Sequence, residues 1–216
     1  MRRVMQMALA AGVLILAASP VAAQGPRGGF RPSPLMLLGQ KSVQEELKLS
    51  PDQVQKVQAA VEKQMESFQG FRDLSDEERG KKMQEMAKEN EKFVADNLKP
   101  DQAKRLQQIA LQQQGGRALA DDKVAKELNL TDDQKGKIKD ILEDTGNQAR
   151  ELFQSGFSEE TRTKVRELNN AATEKVLGLL TADQKTKWKE MTGEPFKGEI
   201  RFGPPGGGGG NRKQDK

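Results

Sequence analysis

The sequence predicts an all-α protein built from two tandem repeats of a long-helix hairpin with short flanking helices. Three observations carry this prediction. A five-residue helix-start motif occurs four times, apolar residues recur every three or four positions, and no stretch shows the alternation typical of a β-strand. The four motifs begin at Leu49, Leu98, Leu130 and Leu180.

Each motif has the residues of a helix N-terminus. In the first one, the Ser50 hydroxyl is placed to accept a backbone N–H, and Gln53 to reach back to the N–H of Ser50, which makes a capping box. Pro51 suits the first helical position, because its missing N–H would have no partner there. Asp52 faces the positive end of the helix dipole. Leu49 precedes the cap as a hydrophobic staple.

The other three motifs keep the Leu and the Gln, and two of them keep the hydroxyl. Lys99 replaces the hydroxyl residue in the second motif, so we expect that helix start to be the loosest. The shared positions are Leu49, Ser50 and Gln53; Leu98 and Gln102; Leu130, Thr131 and Gln134; and Leu180, Thr181 and Gln184.

The spacing of the motifs indicates an internal repeat. Leu49 and Leu98 are 49 residues apart, Leu130 and Leu180 are 50 apart, and the first pair maps onto the second with an offset of 81 or 82. At that offset apolar residues match apolar residues while the polar residues between them differ, as in two diverged copies of one unit. We assign residues 42–117 to the first repeat and 118–198 to the second.

The helices follow in order from these starts. Ser42 is placed to cap a short helix that runs to Lys48, and the Ser50 motif starts a long helix that ends near residues 70–73. The second repeat is predicted to have the same order of short and long helices. The further starts are Ser75 and Pro100 in the first repeat, and Asp121, Thr131, Ser158 and Thr181 in the second.

The two ends of the chain differ from its body. Residues 1–23 combine two arginines, a short apolar run and a small-residue cleavage site before Gln24, which predicts a cleaved signal peptide. Residues 24–41 are predicted to be a flexible leader, in which the apolar residues 35–38 are expected to dock on the body, and 199–216 a disordered, Gly-rich basic tail. We therefore expect a periplasmic protein with no integral membrane segment, since no later stretch is apolar enough.

Composition argues against an enzyme. His and Cys are absent, so the usual general base and thiol nucleophile are missing, and we predict no catalytic, cofactor-binding or metal residues. Acidic pairs such as Asp132-Asp133 suit either a hard cation or the first turn of a helix, and their positions at helix starts favour the helix dipole. Between Lys41 and Gly198 there are 28 basic and 30 acidic residues, so a nucleic-acid partner is not expected.

An apolar stripe in the first repeat is the candidate binding surface. Its spacing is that of an interhelical core, but methionines also suit an open groove that accepts many shapes. The corresponding part of the second repeat has no Met and fewer aromatic residues. The candidate client-binding residues are Met65, Phe68, Phe71, Met83, Met86 and Phe93.

The repeated Leu-Ser/Thr-x-x-Gln motif, the signal peptide and the charged helical body resemble the LTxxQ-motif (Spy/CpxP-like) family of exported bacterial proteins, over about residues 42–195. The resemblance implies an ATP-independent chaperone (holdase) that binds unfolded or misfolded envelope proteins on a cradle-shaped dimer. It also implies that the motif residues shape helix starts. Four motifs stand here instead of two, so we expect a fused, monomeric pseudo-dimer rather than an obligate homodimer.

The alternative is a protein of the envelope stress response without general chaperone activity. It would be a regulator or scaffold that binds one specific protein partner, such as a sensor protein. The lack of His removes the ligand type that a zinc-binding protein would most naturally use.

Overall fold

The computed structural model describes residues 32–200 except residue 155, without the side chains of Gln69 and Arg72. Every regular element in this part of the chain is a helix, which confirms the all-α prediction. The predicted signal peptide and the tail beyond Ile200 lie outside the described residues, as does most of the predicted leader.

Nine α-helices and two short 3₁₀ helices follow one another in the described residues. None of these described helices is long and apolar enough to cross a membrane. The α-helices are α1 Pro34–Leu38, α2 Lys41–Glu46, α3 Pro51–Gln69, α4 Asp76–Asn97, α5 Pro100–Gln114, α6 Asp122–Glu127, α7 Asp132–Gln154, α8 Glu159–Gly178 and α9 Ala182–Thr192. The 3₁₀ helices are η1 Gly70–Asp73 and η2 Gly115–Ala120.

The four motifs start helices α3, α5, α7 and α9, as predicted. The Ser50 hydroxyl accepts the Gln53 N–H at 3.3 Å, and the Ser50 N–H donates to Gln53 Oε1 at 3.0 Å. The third and fourth motifs make the same reciprocal pair of bonds. Lys99 supplies no side-chain cap, so the start of α5 keeps only the bond from the Lys99 N–H to Gln102 Oε1, at 2.9 Å.

Two predictions near the N-terminus need correction. The cap of α2 is Gln40 and not Ser42, whose hydroxyl instead donates to the carbonyl of Glu199 at 2.7 Å. Residues 34–41, which the sequence assigned to the leader, belong to the fold. They include α1, whose three leucines are buried because their apolar surface is more stable away from water.

The core consists of two clusters that meet along α5. The first cluster contains Leu37, Leu38, Val43, Leu47, Val57, Leu106 and Ile109. The second cluster contains Leu111, Ala118, Leu119, Val124, Ala125, Leu128, Leu130, Ile138, Val176, Leu180 and Trp188.

The two parts of the chain are tied together by α5, α9 and the segment after α9. Helix α5 packs against α9 and η2. The Gln112 amide donates to the carbonyls of Thr192 (2.6 Å) and Glu194 (2.8 Å) and accepts the Phe196 N–H at 2.7 Å. Phe196 and Ile200 then pack on the first cluster, so the end of the described chain returns to its beginning.

Candidate functional site

Large apolar side chains are exposed at one end of the first helix pair, α3 and α4. Met65 (46% exposed) and Phe68 (41%) lie in the last turns of α3, and Met83 (51%) lies near the start of α4. Phe71 in η1 is half-buried, with its ring centroid 5.1 Å from that of Phe68. We call these four residues the apolar tip.

The other two candidate client-binding residues lie elsewhere. Met86 is only 6% exposed, and Phe93 is half-buried and packs on the first cluster. The predicted stripe is therefore divided in two. Its outer part is the apolar tip, and its inner part contributes to the interior of the first helix pair.

Helix α1 keeps α3 and α4 apart. The two long helices make few direct contacts with each other, whereas α1 contacts both of them and α5. The α1 side chains Leu35 and Leu37 are buried there. Because α1 packs against both α3 and α4, it takes up space that direct packing of the two long helices would use.

A polar contact replaces direct apolar packing between these helices. Gln64 of α3 donates its amide N–H to Asn90 Oδ1 of α4 at 3.2 Å, and the Ser33 hydroxyl donates to Gln64 Oε1 at 3.3 Å. Gln64 and Asn90 are both buried, and among the described side chains no buried nitrogen or oxygen lacks a partner. The contact therefore satisfies its own polar groups without closing the apolar tip.

The second helix pair, α7 and α8, packs more closely, although a groove of about 660 Å³ lies between the two helices near Leu152 and Leu168. Its helices pack directly on each other, and small residues, Thr145, Ala149 and Ala172, are buried on them. The 3₁₀ helix η2 contacts both, and a Cβ on Gly116 would lie 2.4 Å from Val176 Cγ2 and 2.8 Å from Thr173 Cα. The close approach of α8 thus requires glycine at that position.

The second pair exposes less apolar surface near its turn. Phe157 is 79% exposed in the connection between α7 and α8, and its ring stacks on Phe153 with centroids 5.0 Å apart. Leu152 and Leu168, which lie on the helices themselves, are half-buried. The two pairs therefore differ in the surface that they offer to a partner.

The motif glutamines form two amide pairs, each of one buried and one half-buried side chain. Gln53 donates to Gln102 Oε1 at 2.9 Å, and Gln102 donates back at 3.3 Å. The second hydrogens of these amides donate to the carbonyls of Asn97 (2.7 Å) and Leu47 (3.1 Å). Each amide thus joins the start of its own helix to another segment, and both groups of the amide are used.

The second amide pair follows the same plan. Gln134 donates to Gln184 Oε1 at 2.8 Å, and Gln184 donates back at 3.1 Å. Gln134 also donates to the carbonyl of Leu179 at 2.8 Å, and Gln184 to that of Asn129 at 3.3 Å. The sequence predicted the caps but not this pairing across helices, which requires knowing that two motifs meet.

The titratable groups show surface and capping contacts. Hydrogen bonds from the Ser75 hydroxyl and N–H lower the pKa of Glu78, and the hydrogen bond and charge of Lys164 lower the pKa of Glu160. Glu160 in turn raises the pKa of Lys164. Within the described residues, no three acidic side chains converge as they would around a metal ion.

Sequence reasoning missed a groove beside the apolar tip. It holds about 410 Å³ and is lined by α3 and the end of α1. It also missed the buried Gln64, although a polar residue between Val61 and Phe68 in an apolar stripe is a usable signal. The lining residues of the groove are Gly39, Gln58, Val61, Glu62, Met65 and Glu66.

Comparisons with known proteins give no match for this chain. No family model, no curated protein and no solved structure matches it.

Proposed function

We propose that this protein is an exported, ATP-independent chaperone (holdase) that binds unfolded or misfolded envelope proteins at the apolar tip. The observation that carries the proposal is the exposure of Met65, Phe68 and Met83 at the open end of a helix pair. Monomeric proteins rarely expose adjacent large apolar side chains, and such patches typically bind partners. Methionine adapts its shape to varied apolar ligands, which suits clients without a defined structure.

The magnitude of the available burial favours weak, reversible binding. Covering a whole Met or Phe side chain contributes about 1.5–3 kcal/mol, and these side chains are already about half covered. Three of them therefore offer roughly 3 kcal/mol before the cost of ordering the client. A holdase needs contacts of this strength, because it must release its clients without ATP.

We also propose that the chain is a tandem duplication of an LTxxQ-type unit and a monomeric pseudo-dimer. The two amide pairs support this, since they repeat at an offset of 81 or 82 residues. The left-handed residues Lys48 (φ 50°) and Asn129 (φ 52°) support it as well, because they are 81 residues apart and both precede a motif. On this proposal, η2 in the second unit takes the place of α1 in the first.

The test is the aggregation of a denatured model client in the presence of residues 24–216. At a near-equimolar ratio, we expect the protein to suppress light scattering without ATP. The variant M65S/F68S/M83S should suppress less, while the matched variant F153S/F157S should act as the parent does. Circular dichroism checks that both variants stay folded. Absence of suppression with several unrelated clients would defeat the proposal.

The alternative function, a regulator or scaffold with one protein partner, is favoured by one observation. Three of the four exposed large apolar side chains of the described residues lie on the first helix pair, which concentrates apolar surface in one place. A photo-crosslinker at residue 68 separates the two functions in cells. Many crosslinked proteins support the holdase, whereas a single dominant partner supports the regulator.

A further inference from the structure

The side chains that oxidants attack are few in this protein. The whole sequence has no Cys, His or Tyr, one Trp and eight Met, and three of those Met stand at positions 1, 5 and 7 of the predicted signal peptide. A peroxide that reaches the exported chain therefore meets five thioethers and one indole. All six side chains lie in the part of the chain that the structure describes.

Exposure divides these six side chains. Met65 and Met83, both in the apolar tip, keep about half of their surface exposed. An oxidant must reach the sulfur to react with it, so these two are the most accessible oxidation sites among the described residues. The other four, Met36, Met86, Trp188 and Met191, are buried or half-buried.

We propose that Met65 and Met83 form a reversible oxidation site that controls client binding at the apolar tip. The thioether sulfur attacks one oxygen of hydrogen peroxide, the O–O bond breaks and an S=O bond forms. The sulfur loses two electrons, and the other oxygen leaves with both hydrogens as water. A methionine sulfoxide reductase reverses the change. This inference rests on the proposed holdase function and adds its regulation.

Oxidation changes the chemistry of the tip and leaves the core untouched. A sulfoxide is polar, and an apolar client segment that covers its oxygen offers no hydrogen bond in place of water. Of the three exposed side chains that carry the proposed binding, only Phe68 then stays apolar. Neither Met65 nor Met83 belongs to a core cluster, so we expect the fold to withstand their oxidation.

The second helix pair offers an internal comparison. At offsets of 81 and 82, the positions of Met65 and Met83 are taken by Gly146 and Val165, which peroxide does not oxidise. The exposed apolar residue of that pair, Phe157, has no sulfur either. Sensitivity to peroxide is therefore a property of the apolar tip and not of the repeat.

Mass spectrometry after brief treatment of residues 24–216 with dilute hydrogen peroxide measures the order of oxidation. We expect sulfoxide to form at Met65 and Met83 about tenfold faster than at Met86, whose side chain is covered. Met83 and Met86 lie in one tryptic peptide, residues 83–88, so fragment ions are needed to separate them. Oxidation of Met86 as fast as that of the other two would overturn the site.

The effect on binding is measured by fluorescence anisotropy with labelled, reduced and carboxymethylated α-lactalbumin, a chain that stays unfolded. Catalase removes the peroxide before this client is added, so that the client itself is not oxidised. We expect oxidation to weaken binding about five- to tenfold, because the sulfoxide oxygens lose water on binding, and reductase treatment to restore it. Circular dichroism should not change on oxidation.

Variants assign the effect to the two sulfurs. M65L/M83L keeps the apolar surface and removes both thioethers, so its affinity should not change with peroxide. M86L, the matched control on α4, should lose affinity on oxidation as the parent does. A loss in M65L/M83L as large as that in the parent would overturn the inference, because another residue would then carry it.

The remaining outcomes separate this inference from the function on which it rests. Full client affinity in a protein with both sulfoxides formed would overturn the control by oxidation and leave the holdase intact. No client binding before oxidation, together with no suppression of aggregation, would overturn both.

Discussion

In the first helix pair, α1 contributes the buried side chains Leu35 and Leu37, whereas η2 presents Gly116 and Ala118 at the corresponding places of the second. Helices α3 and α4 make few direct contacts, whereas α7 and α8 pack directly on each other. The comparison teaches that the side-chain volume of a short inserted helix contributes to the distance between two long ones. The more widely spaced pair exposes three large apolar side chains, and the closely packed pair exposes one, Phe157 at its turn.

The buried residues between the long helices follow the same division. In the first pair they are Gln64 and Asn90, which bridge the gap through a hydrogen bond. At offsets of 81 and 82 the second pair has Thr145 and Ala172, which are short enough for direct packing. The Thr145 hydroxyl donates within its own helix, to the Ile141 carbonyl at 2.7 Å, so it needs no hydrogen-bond acceptor on α8.

Truncating a buried side chain of the inserted helix α1 should have the largest effect on stability. Leu37→Ala removes a fully buried side chain from the first cluster, so we expect a loss of about 2–5 kcal/mol in the free energy of unfolding. Urea denaturation followed by circular dichroism measures it. Met36→Ala, at a half-buried position of the same helix, is the control and should cost less. Equal losses would show that α1 does not act through its buried face.

A side chain placed between η2 and α8 should have the next largest effect on stability. Gly116→Ala places a Cβ against Val176 and the α8 backbone, so we expect a loss of about 1–3 kcal/mol. Gly136→Ala, at an exposed position in the second turn of α7 with nothing within 4 Å of its Cβ, should instead gain roughly 0.5–1 kcal/mol. Thermal melts compare the two variants. A neutral Gly116→Ala would contradict the tight approach of α8.

The two amide pairs should differ in their contribution. Gln102→Ala leaves the carbonyl of Leu47 and the amide of Gln53 without a buried partner, which costs about 1–3 kcal/mol. Gln184→Ala should cost less, because Gln184 is only half-buried and water can take its place. A double-mutant cycle with Gln53→Ala and Gln102→Ala isolates the pair. A coupling energy of zero would mean that these amides do not support each other.

Acid should weaken the start of α4 slightly. The pKa of Glu78 is lowered by its bonds with Ser75, so its stabilisation is complete above the ordinary Glu pKa of about 4.3. That stabilisation is lost as the pH falls through the lower pKa of the folded state. NMR titration of the Ser75 amide should report this change. In Glu78→Gln the amide should not titrate; a titration that persists there would assign it to another group.

Much of the fold could be predicted from the sequence because helix starts depend on local chemistry. Ser50 and Thr181 cap their own helices through bonds that span three residues, so the motif alone predicts these helix starts. The position of Lys99 likewise predicted a weaker cap. The apolar residues 35–38 were expected to dock on the body, but the helix α1 that they form was not predicted, since a short helix without periodicity owes its place to burial against distant helices.

The candidate site was predicted only in part, for the same reason. Spacing identified Met65, Phe68 and Met83 but did not separate them from Met86, since all four fit a helical stripe. Exposure depends on how far apart α3 and α4 lie, and that distance is set by side chains from another element.

Hydrogen exchange with and without an unfolded client tests the central claim, that the apolar tip of the first helix pair binds clients and the second helix pair does not. The account predicts that client binding slows exchange at the end of α3, in η1 and at the start of α4. The matching segments of α7 and α8 should exchange as in the free protein. Equal protection of both pairs, or protection of the second alone, would contradict the account.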